Sequence, residues 1–259
     1  MNNELIIAQI SDSHLFAERN GLHHGANVFQ NLFAILQDIQ QNPAITYVVF
    51  TGDLTQDHSD ASYQLFAQAV QESKLSIPLY FLSGNHDEPQ LLTQFLVNTP
   101  FCSNKVIESA YWQIILINSK SETPAGFVDS STWQMLSEVI DGNKTEKSKS
   151  QLIFMHHHAI DVGYFIDKHG LINKDEFWQH LEQFPSVKAI ACGHVHRGIT
   201  LLPEQTKRSI PLYTCPATSI QFDPSALTVC ALKQGPGYRL FNLTEQGGLT
   251  TELRYLPIT

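Results

Sequence analysis

The chain has 259 residues, of which 42% are hydrophobic and only 16% charged, a balance that supports a large buried core and excludes a mainly disordered protein. Sixteen basic against 25 acidic residues give a formal net charge of −9, which argues against a nucleic acid polymer as partner. No apolar stretch reaches the roughly 20 residues of a membrane span, and the four cysteines lack C-x-x-C spacing, so we expect a cytoplasmic protein with reduced thiols and no membrane partner.

The first hundred residues alternate short apolar runs with helical patterns. The runs at 5–11, 47–51 and 78–83 are rich in β-forming residues and end in polar or glycine-containing turns, which predicts three strands. Between them, apolar residues recur at helical spacing over 29–39 and 63–70. This alternation predicts βαβ crossovers and parallel strands that are buried on both faces.

A second set of elements follows, with strand-like runs at 112–118, 151–156 and 187–192 and helical patterns at 131–140 and 174–184. The polar segment 141–150 is interpreted as a surface loop. Past Gly193 no helical pattern remains, and the strand-like runs are 199–202, 210–214, 227–232, 238–242 and 250–256.

The predicted fold class is α/β, a four-layer α/β/β/α sandwich of two mixed sheets within one domain that spans residues 1–259. In this prediction the C-terminal strands, from about residue 205 to 259, complete an antiparallel second sheet.

Side chains of the metal-binding types stand just after the ends of five predicted strands. In strand order they are Asp12 and His14, then Asp53, then Asn85, His86 and Asp87, then His156, His157 and His158, and finally His194 and His196. Loops beyond the carboxyl ends of strands form the ligand crevice of an open α/β sheet, so we expect these groups to meet at one edge. Side chains two positions apart in an extended segment point the same way, so the Asp-x-His and His-x-His pairs are each expected to present two ligands to one side.

Each of these motifs alone has an ordinary explanation as a solvated loop, a turn, a helix cap or a satisfied core histidine. Five of them in strand order favour a shared site. The remaining histidines outside this pattern are interpreted as surface or packing residues: His23, His24, His58, His169 and His180.

The five blocks resemble the pattern of the calcineurin-like metallophosphoesterases, which reads D-x-H, G-D, G-N-H-[DE], a later His and G-H-x-H. Here they run from Asp12 to His196, about three quarters of the chain. Further features are similar to the bacterial class III 3′,5′-cyclic AMP phosphodiesterases of the Icc type: GDLTQD at 52–57, the histidine triplet, CPATSIQF at 215–222 and the tail 235–256. The resemblance implies the sandwich fold and a metal-dependent phosphoric diester hydrolase.

The resemblance also implies two divalent metal ions per chain. One would be held by Asp12, His14 and His196, the other by Asn85, His156 and His194, with Asp53 bridging the two. Nitrogen and oxygen ligands without a thiolate fit Mn²⁺ or Fe²⁺ best and also admit Zn²⁺ or Co²⁺. The family pattern assigns the first histidine of the triplet, and a shifted register that uses His158 stays open.

In the reaction that this resemblance implies, a hydroxide that bridges the metals attacks phosphorus in line while the metals hold the non-bridging oxygens. His86 is the candidate general acid that protonates the leaving ribose oxygen. Related phosphatases orient this histidine through an aspartate three positions beyond the bridging one. That position is Gln56 here, followed by Asp57, so which residue orients His86 stays open.

The expected substrate is a small cyclic nucleotide, 3′,5′-cyclic AMP in the first place, cleaved to its 5′-monophosphate. Asn85 and His86 are candidate substrate contacts. Arg197 either reaches a phosphate or is solvated, and Phe222 either stacks on a base or belongs to the core. The alternatives are a broad-specificity metallophosphoesterase that acts on other small diesters or monoesters, and a non-catalytic scaffold on the same fold, which should have lost ligands.

Overall fold

The computed structural model describes residues 4–141, 149–204 and 206–258. Its strands are β1 (Leu5–Ile10), β2 (Leu22–His23), β3 (Ala26–Asn27), β4 (Tyr47–Phe50), β5 (Leu79–Phe81), β6 (Phe101–Cys102), β7 (Val106–Glu108), β8 (Trp112–Leu116), β9 (Ser150–Met155), β10 (Val187–Cys192), β11 (Thr200–Leu201), β12 (Leu212–Thr214), β13 (Gly237–Leu243) and β14 (Leu249–Tyr255). The helices are α1 (Val28–Gln41), α2 (Asp60–Glu72), α3 (Pro89–Phe95), α4 (Ser130–Asp141) and α5 (Lys174–Leu181), with a 3₁₀ turn at Phe165–His169.

Two six-stranded mixed sheets carry the fold. The first has the order β14-β13-β1-β4-β5-β6, and the second has the order β11-β12-β10-β9-β8-β7. β1, β4, β5 and β6 run parallel, as do β8, β9, β10 and β12, while the remaining strands pair antiparallel. The predicted α/β class with two mixed sheets is therefore confirmed.

Three apolar clusters define four layers. Helices α1, α2 and α3 pack on the outer face of the first sheet, and α4 and α5 pack on the outer face of the second. Between the sheets, Ile7 and Phe241 of the first sheet meet Leu152 and Phe154 of the second. Helix α1 shows how the sequence begins such an element, because Asn27 caps it by accepting from the Gln30 amide at 3.0 Å.

The prediction that the C-terminal strands complete the second sheet is wrong for the last two. β12 does lie in the second sheet, but β13 pairs antiparallel with β1 and β14 pairs with β13, both in the first sheet. The physical reason is that a strand pattern gives burial and not the identity of the neighbouring strand.

Two predicted segments remain, a strand at 227–232 and a loop at 141–150. The run at 227–232 forms no extended strand; it belongs to a hairpin loop closed by a bridge between Phe222 and Ala231, and Leu227 in that loop is 90% exposed. The predicted loop at 141–150 lies mostly outside the described residues. Among the residues described, no helix has the length and apolar character needed to cross a membrane.

Candidate metal centre

All the predicted metal ligands lie in loops that follow β1, β4, β5, β9 and β10, at one edge of the sandwich. The expectation of extended backbone there is wrong. The backbone is left-handed, with φ between 45° and 66°, at Asp12, His14, Asp53, His194 and His196. Such a conformation costs on the order of 1–3 kcal/mol for a residue other than glycine, and the contacts around it must hold it in place. The tight loops, and not strand alternation, therefore direct these side chains.

Glycine is required where two of these loops touch. A Cβ built on Gly84 would lie 2.1 Å from the Oδ1 atom of Asp53, so any larger residue would displace that carboxylate. The same close approach lets the amide of His86 donate to Oδ1 of Asp53 at 2.9 Å.

Two of the histidines have one ring nitrogen fixed by a backbone carbonyl. Nδ1 of His156 donates to the carbonyl oxygen of Thr51 at 2.7 Å, and Nδ1 of His196 donates to that of Ile220 at 2.8 Å. Because a carbonyl can only accept, the proton sits on Nδ1 and Nε2 is left to face the cluster as a ligand atom.

The ligand atoms converge closely around these nitrogens. Nε2 of His156 lies 3.1 Å from Oδ1 of Asn85, 3.1 Å from Nδ1 of His194 and 3.3 Å from Oδ2 of Asp53. On the other side, Nε2 of His196 lies 3.1 Å from Nε2 of His14 and 3.4 Å from Oδ1 of Asp12. The seven predicted ligands are thus brought together.

The charge of the cluster fits metal cations. Asp12 and Asp53 are only 0% and 2% exposed, and within the described ranges no lysine or arginine pairs with either carboxylate. Two buried carboxylates without a cation are costly, and imidazole, amide and carboxylate atoms together form a donor set suited to divalent transition metals. Two groups of residues, Asp12–His14–His196 and Asp12–Asp53–His156, each place their ligand atoms within 4.8 Å of one another, so the clusters could hold two ions.

The pKa values of the buried cluster residues also indicate that this site favours positive charge. Burial opposes protonation of His156, but the neighbouring Asp53 carboxylate outweighs it and raises the pKa of His156 to about 9. Without a cation Nε2 would therefore carry a second proton at neutral pH, which a metal ion bound there would replace. Burial would raise the pKa of Asp53, yet the imidazoles of His156 and His86 hold it well below its usual range. Burial lowers the pKa of His14 and of His194, which keeps both rings neutral and able to act as ligands.

The three consecutive histidines have three different environments. His156 faces the cluster. His157 lies beside it, with its ring 4.8 Å from that of His194, but both of its ring nitrogens have other partners: Ser119 Oγ is 2.9 Å from Nδ1 and the carbonyl oxygen of Pro124 is 3.2 Å from Nε2. His158 donates from Nε2 to the carboxylate of Asp167 at 3.2 Å. The geometry therefore favours the unshifted register.

His86 lies beside the cluster with its ring edge against His14, at a centroid distance of 4.9 Å. His58, which the sequence analysis interpreted as a surface or packing residue, stacks on the His86 ring at a centroid distance of 5.5 Å and donates from Nδ1 to the His86 carbonyl oxygen at 3.0 Å. Asp57 does not orient the His86 ring, because its carboxylate accepts instead from the amides of Ala17 and Ser59. Gln56 lines the same cavity as His86.

A cavity of about 400 Å³ opens onto the cluster. Besides five of the seven predicted ligands, its walls include three histidines that the sequence analysis interpreted as surface or packing residues, His23, His24 and His169. His23 stacks on His14 at 5.2 Å. Nothing in the sequence could have identified them, because they stand outside the strand-end pattern and reach the site through the β2–β3 hairpin and the 3₁₀ turn.

The four predicted substrate contacts have different positions. Phe222 lines the cavity, with one ring face stacked on His196 at a centroid distance of 3.8 Å. Arg197 is half-buried and does not line the cavity, whereas Lys168 does. Asn85 and His86 both line it.

Comparison with known proteins matches residues 5–198 to the calcineurin-like phosphoesterase family. A relative from Colwellia psychrerythraea named "Probable cyclic nucleotide phosphodiesterase" is 52% identical over 97% of this chain and 95% of its own length. A 3′,5′-cyclic adenosine monophosphate phosphodiesterase of Vibrio vulnificus is 32% identical over 98% of this chain and 91% of its own length.

Among solved structures, a dimetal phosphatase from Danio rerio superposes with a TM-score of 0.70 over 98% of both chains, at 14% identity, which shows a shared fold. The family match and the relatives together establish that this chain belongs to the calcineurin-like phosphoesterases, as a hydrolase that acts on phosphodiesters.

Proposed function

We propose that this chain hydrolyses 3′,5′-cyclic AMP to 5′-AMP at a centre that holds two divalent metal ions. The observation that carries the proposal is the cavity of about 400 Å³, which is lined both by residues of the His/Asp clusters and by the apolar side chains of Phe165, Phe222 and Val229. A small phosphodiester joined to a planar base matches both kinds of lining. The names of the relatives from Colwellia and Vibrio support this substrate class.

The metal ligands in this proposal are Asp12, His14 and His196 for one ion and Asn85, His156 and His194 for the other, with Asp53 between them. Bound there, two divalent ions would supply Lewis acidity toward the phosphate and an activated water. Their charge of +4 would exceed the −2 of the two carboxylates, so a monoanionic diester would be attracted locally into a protein of net charge −9. Mn²⁺ or Fe²⁺ is the expected pair, with Zn²⁺ or Co²⁺ as the alternative.

His86 is proposed as the general acid. Its ring lines the cavity beside His14, and the hydrogen bond from its amide to Asp53 fixes its backbone against the cluster. Loss of the ribose 3′ oxygen as an alkoxide is unfavourable, so a proton delivered from this imidazole lowers the barrier of that step.

For recognition we propose that the aromatic wall of Phe165 and Phe222, whose rings lie 5.2 Å apart, contacts the base. Lys168 is the one lysine or arginine that lines the described part of the cavity, so it is the first candidate to contact the phosphate, and Arg197, which does not line the cavity, is the second. All four cysteines are free thiols, which supports a reducing, cytoplasmic location.

The test of this proposal is a comparison of kcat/KM among 3′,5′-cyclic AMP, 2′,3′-cyclic AMP and p-nitrophenyl phosphate, with Mn²⁺ present. We expect 3′,5′-cyclic AMP to be preferred. A preference for the monoester, or equal values for all three, would indicate the broad-specificity alternative. No turnover of any of them would favour the non-catalytic scaffold.

A further inference from the structure

A second cavity, of about 360 Å³, lies at the same edge of the sandwich as the metal centre. Leu82 and Ser83, which follow β5 of the first sheet, form one side, and Ile117 and Asn118, which follow β8 of the second sheet, form the other. Helices α3 and α4 close it from outside. No lining residue of the described chain is common to this cavity and to the one at the metal centre. Crevices at the carboxyl ends of strands are the places where α/β folds bind ligands.

The lining has the composition of a small-molecule site. Its floor is apolar, formed mainly by Phe81, Leu92, Leu116 and Ile117, and neutral hydroxyl and amide groups of residues such as Thr132 and Asn118 lie around it. No carboxylate lines the described part of this cavity. Apolar pockets with a few polar groups that fix orientation are typical ligand sites.

Lys105 supplies the one cationic side chain among the lining residues described. The residue is exposed at the rim, but its ammonium group turns toward the strand, donates to the carbonyl oxygen of Phe81 at 2.6 Å and lies 4.9 Å from the centre of the Phe81 ring. Within the described residues no carboxylate pairs with it. Burial lowers the pKa of Lys105 to about 8, so the ammonium stays mostly charged at neutral pH.

We propose that this cavity binds a small monocarboxylate with an apolar tail. The tail would lie on the floor of Leu92, Leu116 and Ile117, and the carboxylate would accept a charge-assisted hydrogen bond from Lys105. One lysine balances one negative charge, and the surrounding groups are neutral, so a dianion such as a phosphate monoester fits less well. The net charge of −9 makes general attraction of anions to the surface an insufficient explanation.

The test is a titration of the full-length protein with octanoate, with Zn²⁺ in the buffer. Binding is monitored by methyl NMR. We expect saturable shifts of the Ile117 and Met135 methyl groups, which line this cavity, and none of the Ile166 methyl groups, which line the cavity at the metal centre. Octanamide, the neutral isostere, should bind about tenfold more weakly or worse, because it lacks the charge that strengthens the hydrogen bond.

Three variants complete the experiment. Lys105→Met should weaken octanoate binding about tenfold or more, whereas Lys188→Met, the same charge change at an exposed position of β10, should leave it unchanged. Thr93→Trp, at an exposed rim position of α3, should block binding while Lys105 is kept.

Equal affinity for octanoate and octanamide would overturn the proposal, as would an equal loss in Lys188→Met, shifts confined to Ile166, or no saturation at about 10 mM octanoate. This experiment measures binding and not catalysis, so its outcome is independent of the test of the proposed function.

Discussion

Backbone carbonyls determine how two histidines of the metal centre can act. Thr51 and Ile220 accept from Nδ1 of His156 and His196, so each ring turns Nε2 toward the carboxylates. At His157 both ring nitrogens are instead taken up by Ser119 and Pro124. Chemically identical side chains therefore differ in role because of the hydrogen bond made by the second nitrogen.

The position of Asp53 leads to a prediction about metal content. Its carboxylate lies 3.3 Å from Nε2 of His156 and 3.8 Å from Nε2 of His14, between the two groups of ligands. We expect elemental analysis of protein purified without chelator to find about two transition metals per chain. Asp53→Ala should reduce the occupancy of both sites, and His14→Ala mainly that of one. Wild-type protein that binds no metal even with added Mn²⁺ would rule out the dinuclear centre.

The place of His86 leads to a second prediction. His86→Ala should lower kcat on 3′,5′-cyclic AMP by roughly 10²–10⁴, the usual contribution of general acid–base catalysis. The loss on bis(p-nitrophenyl) phosphate should be much smaller, because its leaving group needs no proton. Equal losses on both substrates would mean that His86 positions the phosphate or a metal and does not act as the acid.

At the scale of elements, the segment 162–169 forms one wall of the cavity, and the carboxylate of Asp167 is one of the groups that hold it in place. Asp167 accepts from the amides of Val162 at 2.7 Å and Gly163 at 2.8 Å, and from His158 at 3.2 Å. The segment carries Phe165, Ile166 and Lys168 to the cavity. A side chain outside the predicted site thus helps to position one wall of the cavity.

We therefore expect Asp167→Ala to raise KM for 3′,5′-cyclic AMP with a smaller effect on kcat, and to lower the free energy of unfolding by about 1–3 kcal/mol as its partners lose an acceptor. Asp161→Ala is the matched control. Asp161 lies in the same loop and, among the described residues, its carboxylate pairs only with Lys174 at the surface, a contact worth about 0–1 kcal/mol. Urea denaturation and steady-state kinetics measure both effects. A KM that is unchanged in Asp167→Ala, or raised equally in Asp161→Ala, would contradict this role.

The apolar periodicity of the sequence predicted the positions of several elements, but it did not predict strand neighbours or the backbone conformation of the loops. The strands β1, β4 and β10 and the helices α1 and α2 lie where apolar periodicity placed them, because each buries a continuous apolar face. The neighbours of β13 could not be predicted, because pairing with β1 depends on contacts more than two hundred residues apart. The left-handed conformation of the ligand residues could not be predicted either, because Asp and His adopt it more often than most residues but still only in a minority of cases, and the sequence does not show which ones.

At the scale of the whole molecule, the candidate site could be predicted because its residues directly follow the ends of successive strands. The loops that follow parallel strands lie at one edge of the sheet. Seven candidate ligand residues in such loops were therefore enough to predict that their side chains meet. The rest of the cavity comes from elements that cross this edge from elsewhere, namely the β2–β3 hairpin, the 3₁₀ turn and the loop at 222–231. Their positions depend on tertiary packing, which explains why His23, Phe165 and His169 were not anticipated.

The central claim is that this metal centre opens the 3′,5′-cyclic diester with the 3′ oxygen as leaving group. It is tested most directly by chromatography of the products of 3′,5′-cyclic AMP with Mn²⁺ or Fe²⁺ present and with a chelator as control. We predict 5′-AMP as the product, formed only when the metal is available. Formation of 3′-AMP, or no turnover of cyclic AMP beside rapid turnover of another diester, would contradict the claim.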